Sequence, residues 1–509
     1  MRKTLLAVTI ATTLAGAAQA AQAADLWDIY QLALQNDPTF LQADANYQAA
    51  VENKPIARAG YLPNISLNGR RTISRTSGTS SFFANGGFTT ADVATHDYNT
   101  TYSATLTQPI FDWAAWNTIE QADATAAQAE ATYVAAQQSL IVRTATAYFN
   151  VLNARDTLAA DHAATEANSK QLEQAKEKYD VGMSAITDVE NAQAAYDQSV
   201  ANEISAQQQV TNAEESLRAI TGQPVNELLE PSPDMPLRSP NPASAQQWVD
   251  QALKQNPNLL AAQSGADAAS ANIGIKRASN LPTVDLVLSH TRNKDNTTDA
   301  LTGPFGPGGS PVSSTSPSPS DISGNTAYLN VSFPLFSGGG TWAQVTQAQR
   351  QYDAALDNAK LVNRQTEQLA RTAYLGVLTG ISQVTALKQS VKSNQTSMDA
   401  TETGLQVGTR TIVDVLTARQ NLLTAETGFS NARYTYLENV LQLKQAAGTL
   451  SEDDVKQINV VLQVKAPMAG PTAADNAATI PAPAAATSPA VAAPAAGTVT
   501  PPASTPPKG

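Results

Sequence analysis

Few side chains in this sequence have the types and spacing that chemistry requires. The three histidines, His96, His162 and His290, fall in a polar loop, a helix and a strand, and none has a neighbouring nucleophile or a second ligand type at metal-binding spacing. Gly338, Gly339 and Gly340 follow a strand pattern and open a helix. No Gly-Lys-Ser/Thr accompanies them, so they read as a strand-to-helix junction rather than a phosphate loop. Cysteine is absent, which removes disulfides, thiolate metal sites and a lipid-anchored amino-terminal Cys. Neither catalysis nor a cofactor or metal is expected. The most unusual stretch is instead a helix-reversal turn that occurs twice. Tyr179–Asp188 (YDVGMSAITD) returns as Leu405–Asp414 (LQVGTRTIVD), with Gly182 and Gly408 supplying the backbone freedom a reversal needs.

Those turns belong to a wider duplication, and internal repeats fix architecture before any other signal. ALQNDP at 33–38 matches ALKQNP at 252–257, and IARAGYLP at 56–63 matches IKRASNLP at 275–282. Further along, Pro109-Ile-Phe111 pairs with Pro334-Leu-Phe336, Thr146-Ala-Tyr148 with Thr372-Ala-Tyr374, and Ile220-Thr-Gly222 with Ala446-Ala-Gly448. The spacing between copies drifts only where loops lie.

Composition narrows the class. At 509 residues, 42% hydrophobic but only 6% aromatic, the chain suits long helices packed closely on alanine better than wide globular cores. A formal charge of −12 argues against a nucleic-acid partner and would favour cations in any pore the chain lined. Arg2 and Lys3, an apolar run from Leu5 to about Ala15, and Ala18-Gln-Ala20 (with Ala21-Gln-Ala23 just after) form a secretory signal pattern over 1–23. The run is too short and too interrupted by threonine for a transmembrane anchor, and no later segment offers ~18 uninterrupted apolar residues.

Each repeat then reads as helix, strand pair, long helix, turn, helix. Ile65, Leu67 and Ile73 alternate with polar residues, as do Tyr102, Ala104 and Leu106. The second copy repeats this with Val284, Leu286 and Leu288, and with Leu329, Val331, Phe333 and Leu335. Polar loops are expected between the partners, to about Asn99 in the first pair and from about Lys294 to Gly324 in the second. Four strands with one apolar face fit an outer-membrane barrel but cannot close one, since the smallest need about eight. Several chains must therefore contribute; the competing reading is two soluble β-ribbons. From about Asp112 to Lys178 and Gly340 to Thr403 nothing breaks the helical pattern, which gives rods near 100 Å, about three times the hydrocarbon thickness of a bilayer. The stretch 26–59 breaks at Asn36-Asp37-Pro38, where Asp37 offers a cap for a restart at Pro38; it and 188–221 are each about half the length of a long helix and would match one end to end. Val415, Leu422, Phe429, Tyr436 and Leu443 keep coiled-coil steps of seven, and Glu203 interrupts the first copy's seam. Trp113, Trp116 and Trp342 stand at the strand–helix junctions, where anchoring at a membrane interface competes with packing. The expected organisation is a signal at 1–23, a first repeat at 24–222, an equatorial linker at 223–245, a second repeat at 246–448, an equatorial segment at 449–465, and a disordered Ala/Pro-rich tail at 466–509.

This pattern, from Leu26 to Val464, resembles the TolC family of outer membrane channel proteins, with VGTRTIVDVL at 407–416 its most specific motif. The resemblance implies a mainly α fold with a β-barrel part: a homotrimer whose twelve-stranded barrel sits in outer-membrane lipid and continues as a long α-helical barrel across the periplasm. It implies a passive exit duct recruited by an inner-membrane pump and a periplasmic adaptor, for drug efflux or type I protein secretion. It also implies that the paired turns are a periplasmic tip closed at rest. Carried over by position, Thr187 and Asp188 would meet Arg410 in a charge-assisted latch breakable by a docking partner; the competing reading is a solvated surface ion pair. Leu405 falls where the family has a gating tyrosine. Asp414 would form a cation-selecting ring at the constriction, but Thr417 stands where a second acidic ring is usual, so a looser tip is expected. Val181, Gly182, Met183, Val407, Gly408 and Thr409 would contact the adaptor. A soluble periplasmic coiled-coil adaptor would explain the signal and the helices, but not the four strands.

Overall fold

A computed structural model describes residues 24–84, 86–225, 227–303 and 312–465. The signal pattern at 1–23 and the tail at 466–509 lie outside the described residues. The first repeat opens with α1 (Leu26–Asn36), α2 (Pro38–Val51) and α3 (Asn53–Ala59). As the sequence suggests, the break falls at Asp37, which caps α2 by accepting from the Phe40 N–H while Pro38 takes the first helical position. A second break, at Glu52, has no side-chain cap and was not anticipated. Strands β1 (Asn64–Ala84) and β2 (Gly87–Phe111) follow, then α4 (Trp113–Asp180) and α5 (Ile186–Thr221).

The second repeat has the same order. After β3 (Leu229–Pro231) come α6 (Ala245–Gln255), α7 (Pro257–Ala278), β4 (Thr283–Gly303), β5 (Val312–Ser332), α8 (Gly340–Gln406) and α9 (Ile412–Ala446), and the described chain closes with α10 (Glu452–Asn459) and β6 (Leu462–Lys465). No described helix is long and apolar enough to cross a membrane.

The two long polar loops are not loops over most of their length. β1 and β2 pair without interruption up to Ala84–Gly87, and β4 and β5 up to Gly303–Val312, so His96 lies in a strand. Alternation of apolar and polar residues marks a strand only where its two faces have different surroundings. Beyond that stretch both faces are polar, and Thr/Ser-rich segments still pair because β-branched threonine fits the pleat. Pro317 and Pro319 sit in β5, an edge strand of the single chain, where proline is tolerated. The sheet order is β1-β2-β4-β5, all antiparallel, leaving β1 and β5 each with one unpaired edge.

α4, at 68 residues, is a rod of about 100 Å. α1–α3 pack along one half of it and α5 along the other. They abut where Gly222, at the end of α5, meets Asn36; in the second repeat Gly448, after α9, meets Gln255. The principal core lies at this mid-height, not at either end: Tyr30, Tyr148, Phe149, Leu217, Trp248, Tyr434 and Leu441 are all buried there. β3 and β6 pair across this belt. The Tyr148 hydroxyl bolts it to α4, accepting from Leu229 N–H at 3.0 Å and donating to Leu229 C=O at 2.6 Å. Tyr436 holds the backbone of Arg238 in the same two-way manner.

Candidate functional site: the paired helix reversals

Both turns are Schellman reversals, which satisfy two of the helix-end carbonyls from within the turn. In the first, Met183 N–H donates to Lys178 C=O and Gly182 N–H to Tyr179 C=O; in the second, Thr409 and Gly408 do the same to Gly404 and Leu405. Gly182 (φ +76°) and Gly408 (φ +77°) occupy the left-handed position that the motif demands. The apolar tips of the turns face water, Val181 being 70%, Met183 77% and Val407 69% exposed.

Asp188 and Asp414 hold the same place in the two copies but have different partners. Asp414 and Thr411 form a reciprocal capping box: the Thr411 N–H and hydroxyl each donate to Oδ2 at 2.9 Å, and Asp414 N–H donates to the hydroxyl at 3.2 Å. The backbone N–H and hydroxyl of Thr411, with the Arg410 charge adding to them, hold the Asp414 carboxyl below its ordinary value. In the first turn Ala185 stands where Thr411 would be and makes no side-chain cap, and among the described residues the Asp188 side chain accepts only from the Ser184 hydroxyl, at 2.8 Å. Thr187 is exposed, and the Thr417 hydroxyl is turned back onto its own helix at Val413 C=O, 2.8 Å. Arg410 lies over Gly404, where a Cβ would come within 2.6 Å of its Cγ. Within the chain neither Asp188 nor Arg410 forms an ion pair among the described residues.

The turns are neighbours all the same. Ile412, the first residue of α9, is buried with Leu172 and Ala175 of α4 and Val189 and Ala192 of α5. Leu405 packs into its own hairpin against Met398, Val415 and Ala418.

Two links between helices were not foreseen. Arg419 of α9 crosses to α4 and donates to Asn168 at 3.4 Å, and its burial lowers the guanidinium pKa. Arg419 falls four residues after Val415, on the seam side of α9, and a cation on an apolar stripe was the available signal. Glu203, which interrupts the coiled-coil seam of α5, meets His162 of α4 at 2.7 Å. Among the described residues no cluster of His, Asp or Glu could hold a metal ion.

A rod of about 100 Å joined to a sheet with an apolar outer face defines the subunit of an outer-membrane channel. A family model described as outer membrane efflux protein matches residues 29–223 and 248–449, one span per repeat. The chain is 36% identical over 464 residues to the outer membrane protein TolC of Escherichia coli K12, covering 90% of this chain and 89% of that one. It is 28% identical over 439 residues to the alkaline protease secretion protein AprF of Pseudomonas aeruginosa, covering 85% and 86%. Among solved structures, the Campylobacter jejuni CmeC outer membrane channel superposes with a TM-score of 0.66 at 20% identity, over 86% of this chain and 89% of that one, which speaks for the fold. The chain belongs to the outer membrane efflux protein family. It is an outer-membrane exit channel of the TolC type, and the soluble adaptor reading falls with the sheet and the family match.

Proposed function

We propose that the chain works as a homotrimer in which β5 of each subunit pairs with β1 of the next, closing a twelve-stranded barrel. The observation that carries this reading is the pair of unsatisfied sheet edges. An open edge is not tolerated in lipid, and four strands are too few to close. Exposed Leu361, Leu369 and Leu375 on α8 supply apolar surface for the neighbouring subunits.

The paired turns form the periplasmic gate of this duct. Asp188, held by one hydroxyl, and Arg410, without an intrachain ion pair, meet between hairpins with Thr187 beside them. The contact is charge-assisted yet breakable. Three copies of Asp414 form the constriction ring, kept ionised by Thr411, while Thr417 adds no second ring. Leu405 closes its hairpin by packing, where a tyrosine would reach across to an acceptor. The exposed apolar tips at Val181 and Val407, with Gly182, Met183, Gly408 and Thr409, receive a periplasmic adaptor carrying an inner-membrane pump. Relatives named for efflux and for protease secretion leave both cargo classes open, and catalysis has no part in the reading.

Extraction tests it directly. The protein should leave outer-membrane fractions only in detergent, as a heat-sensitive trimer that forms discrete conductances in planar bilayers. Recovery as a freely soluble monomer would sink the proposal.

A further inference from the structure

The four-stranded sheet sorts its charges by strand parity. Register places Arg71 and Arg75 of β1 and Arg292 and Lys294 of β4 on one face, with Asp321 of β5 among them and Asp92 of β2 several rows farther along, toward the β1–β2 turn. The opposite face carries Asp97, Asp285, Asp295 and Asp299 against Arg70 alone in the same zone. The basic face is also the apolar one, bearing Ile65, Leu67, Leu106, Leu288, Leu329 and Val331. On β4 its residues Leu288, His290, Arg292 and Lys294 are exposed while the intervening ones are half-buried, so this is the convex, outward face.

The height of the bases on that face follows from the strand. A bulge at Pro109–Phe111 turns Phe111 outward beside Val284, near exposed Trp113 and Trp116. Going up β2, the next exposed aromatic on this face is Tyr102, whose ring lies over Gly69. From Phe111 to Tyr102 is about 30 Å of strand, and a tilt of about 40° reduces it to about 23 Å, the height of an outer-membrane apolar band. Arg292 is level with Tyr102, and Arg71 and Lys294 share the next row up. The bases therefore stand at the headgroup level of the outer leaflet, where long basic side chains reach the interface.

Directly beneath them the outward face is hollow. An open recess of about 450 Å³ is bordered by Ile65, Leu106 and Leu288, with Ala104 and Ala327 too small to fill it. His290 and Asn325, joined at 2.7 Å, cross its upper end. Above that bridge Asp321 grips the Arg292 guanidinium bidentately, at 2.7 and 2.9 Å, and lies 3.6 Å from Lys294, fixing both bases while leaving the row in excess positive charge. Arg71 and Arg75 make no ion pair among the described residues.

We propose that the recess and the basic row form one binding site for a phosphorylated lipid of the outer leaflet. An acyl chain lies in the recess over Ala104 and Ala327, and the phosphate monoester meets Lys294 and Arg71, about 10 Å apart across two strand spacings. Arg292, steadied by Asp321, flanks the phosphate. The recess faces lipid, so its occupant enters from the bilayer. The site rests on the outer-membrane placement of the sheet and not on the gate, so either proposal can fail without the other.

The test uses the full-length protein reconstituted in phosphatidylcholine nanodiscs with about a tenth phosphatidic acid, and native mass spectrometry of the lipid that stays bound. Arg71→Gln with Lys294→Gln spares the Arg292–Asp321 pair and should cut retained phosphatidic acid about thirtyfold, each base near the surface contributing about fivefold. Arg70→Gln removes one base from the inner face of the same strand and should retain lipid as the native protein does. Ala327→Phe fills the recess and should lower retention while leaving assembly unchanged. Inorganic phosphate should not displace the lipid. Equal retention by the outer-face double variant, an equal loss in Arg70→Gln, or displacement by inorganic phosphate would each overturn the assignment.

Discussion

The α-carbon of Gly448 faces the Gln255 carbonyl so closely that a Cβ there would sit 2.3 Å from the oxygen and 2.7 Å from the Asn256 nitrogen. Its φ of +74° adds a second reason for glycine. The end of α9 is thus pressed against the junction of α6 and α7, and Asn256 completes the joint by donating to Ala446 C=O at 3.0 Å. In the first repeat Gly222 makes the same joint more loosely, its nearest neighbour being the Asn36 side chain at 3.2 Å. Gly448→Ala must move backbone and should cost more than the ~1–2 kcal/mol of a left-handed alanine alone. Gly222→Ala should cost about that amount. Apparent Tm in detergent ranks the two, and equal shifts would contradict the difference in packing.

Asp37 is 2% exposed, and Arg143 grips it at 3.0 and 3.1 Å. Burial pushes its carboxyl pKa up, but Arg143 together with the Phe40 N–H more than reverses this, so the net direction is downward. A carboxylate lowered on folding stabilises above its unfolded pKa, and that contribution is lost as pH falls through the lower folded value. Asn256 holds the equivalent position and caps its helix without a charge. Asp37→Asn should therefore keep the cap and remove the acid-side pH dependence. Arg143→Ala should destabilise by about 2 kcal/mol or more, since it strands a buried charge. Thermal melts from about pH 3 to pH 6 decide between them.

Glu230 behaves in the opposite sense. Burial, with Asp156 nearby and only partly offset by Arg433 and Arg155, pushes its carboxyl up to about 7, and its Oε1 has no hydrogen-bond partner among the described residues. The folded protein then holds a proton that the unfolded chain releases near the ordinary glutamate pKa, so stability declines as pH rises from there to about 7. Glu230→Gln should raise the apparent Tm at about pH 8 and leave it nearly unchanged at about pH 5. A uniform shift at both would mean that Gln acts through packing and not through the charge.

The duplication, the helix order and the Asp37 break were legible because each rests on local chemistry: repeated words, a cap, a proline. The outer halves of β1, β2, β4 and β5 were not, because strand periodicity is written by contrast between two environments and both faces there are wet. The two turns were legible as helix reversals, but the partners of their side chains were not. Asp188 and Asp414 look alike in the sequence, and only the Ala185/Thr411 difference beside them decides which one is tied into its own helix. Leu405 shows the same limit, since its role depends on Met398 and Val415 brought close by the reversal.

Leu405 supplies a test of closure by packing. Its side chain joins the small cluster of Met398, Val415 and Ala418 at the far end of a long hairpin, well away from the main core. Leu405→Ala should cost ~2 kcal/mol or more of local stability. Because few other apolar contacts hold this end, the loss should appear as increased single-channel conductance and faster proteolysis at the turn, with the global melt unchanged. A fall in Tm without added conductance would place Leu405 in the frame of the protein and not in its gate.

The proposed latch and ring should separate in bilayer recordings, because their carboxylates are held differently. Arg410→Ala removes the cation but leaves the Thr411–Asp414 box intact, so it should raise conductance and leave cation selectivity as it was. Asp414→Asn removes the ring charge, and should lower cation selectivity and weaken block by polyvalent cations, with a smaller change in conductance. Thr411→Val deletes the hydroxyl that donates to Asp414 while leaving the carboxylate in place. It should cost about 1 kcal/mol at the start of α9 and retain selectivity. Reversal potentials across a salt gradient read the ring and single-channel amplitudes read the latch. If Arg410→Ala and Asp414→Asn changed both quantities in the same proportion, latch and ring would be one device, and the separation drawn from their different partners would be wrong.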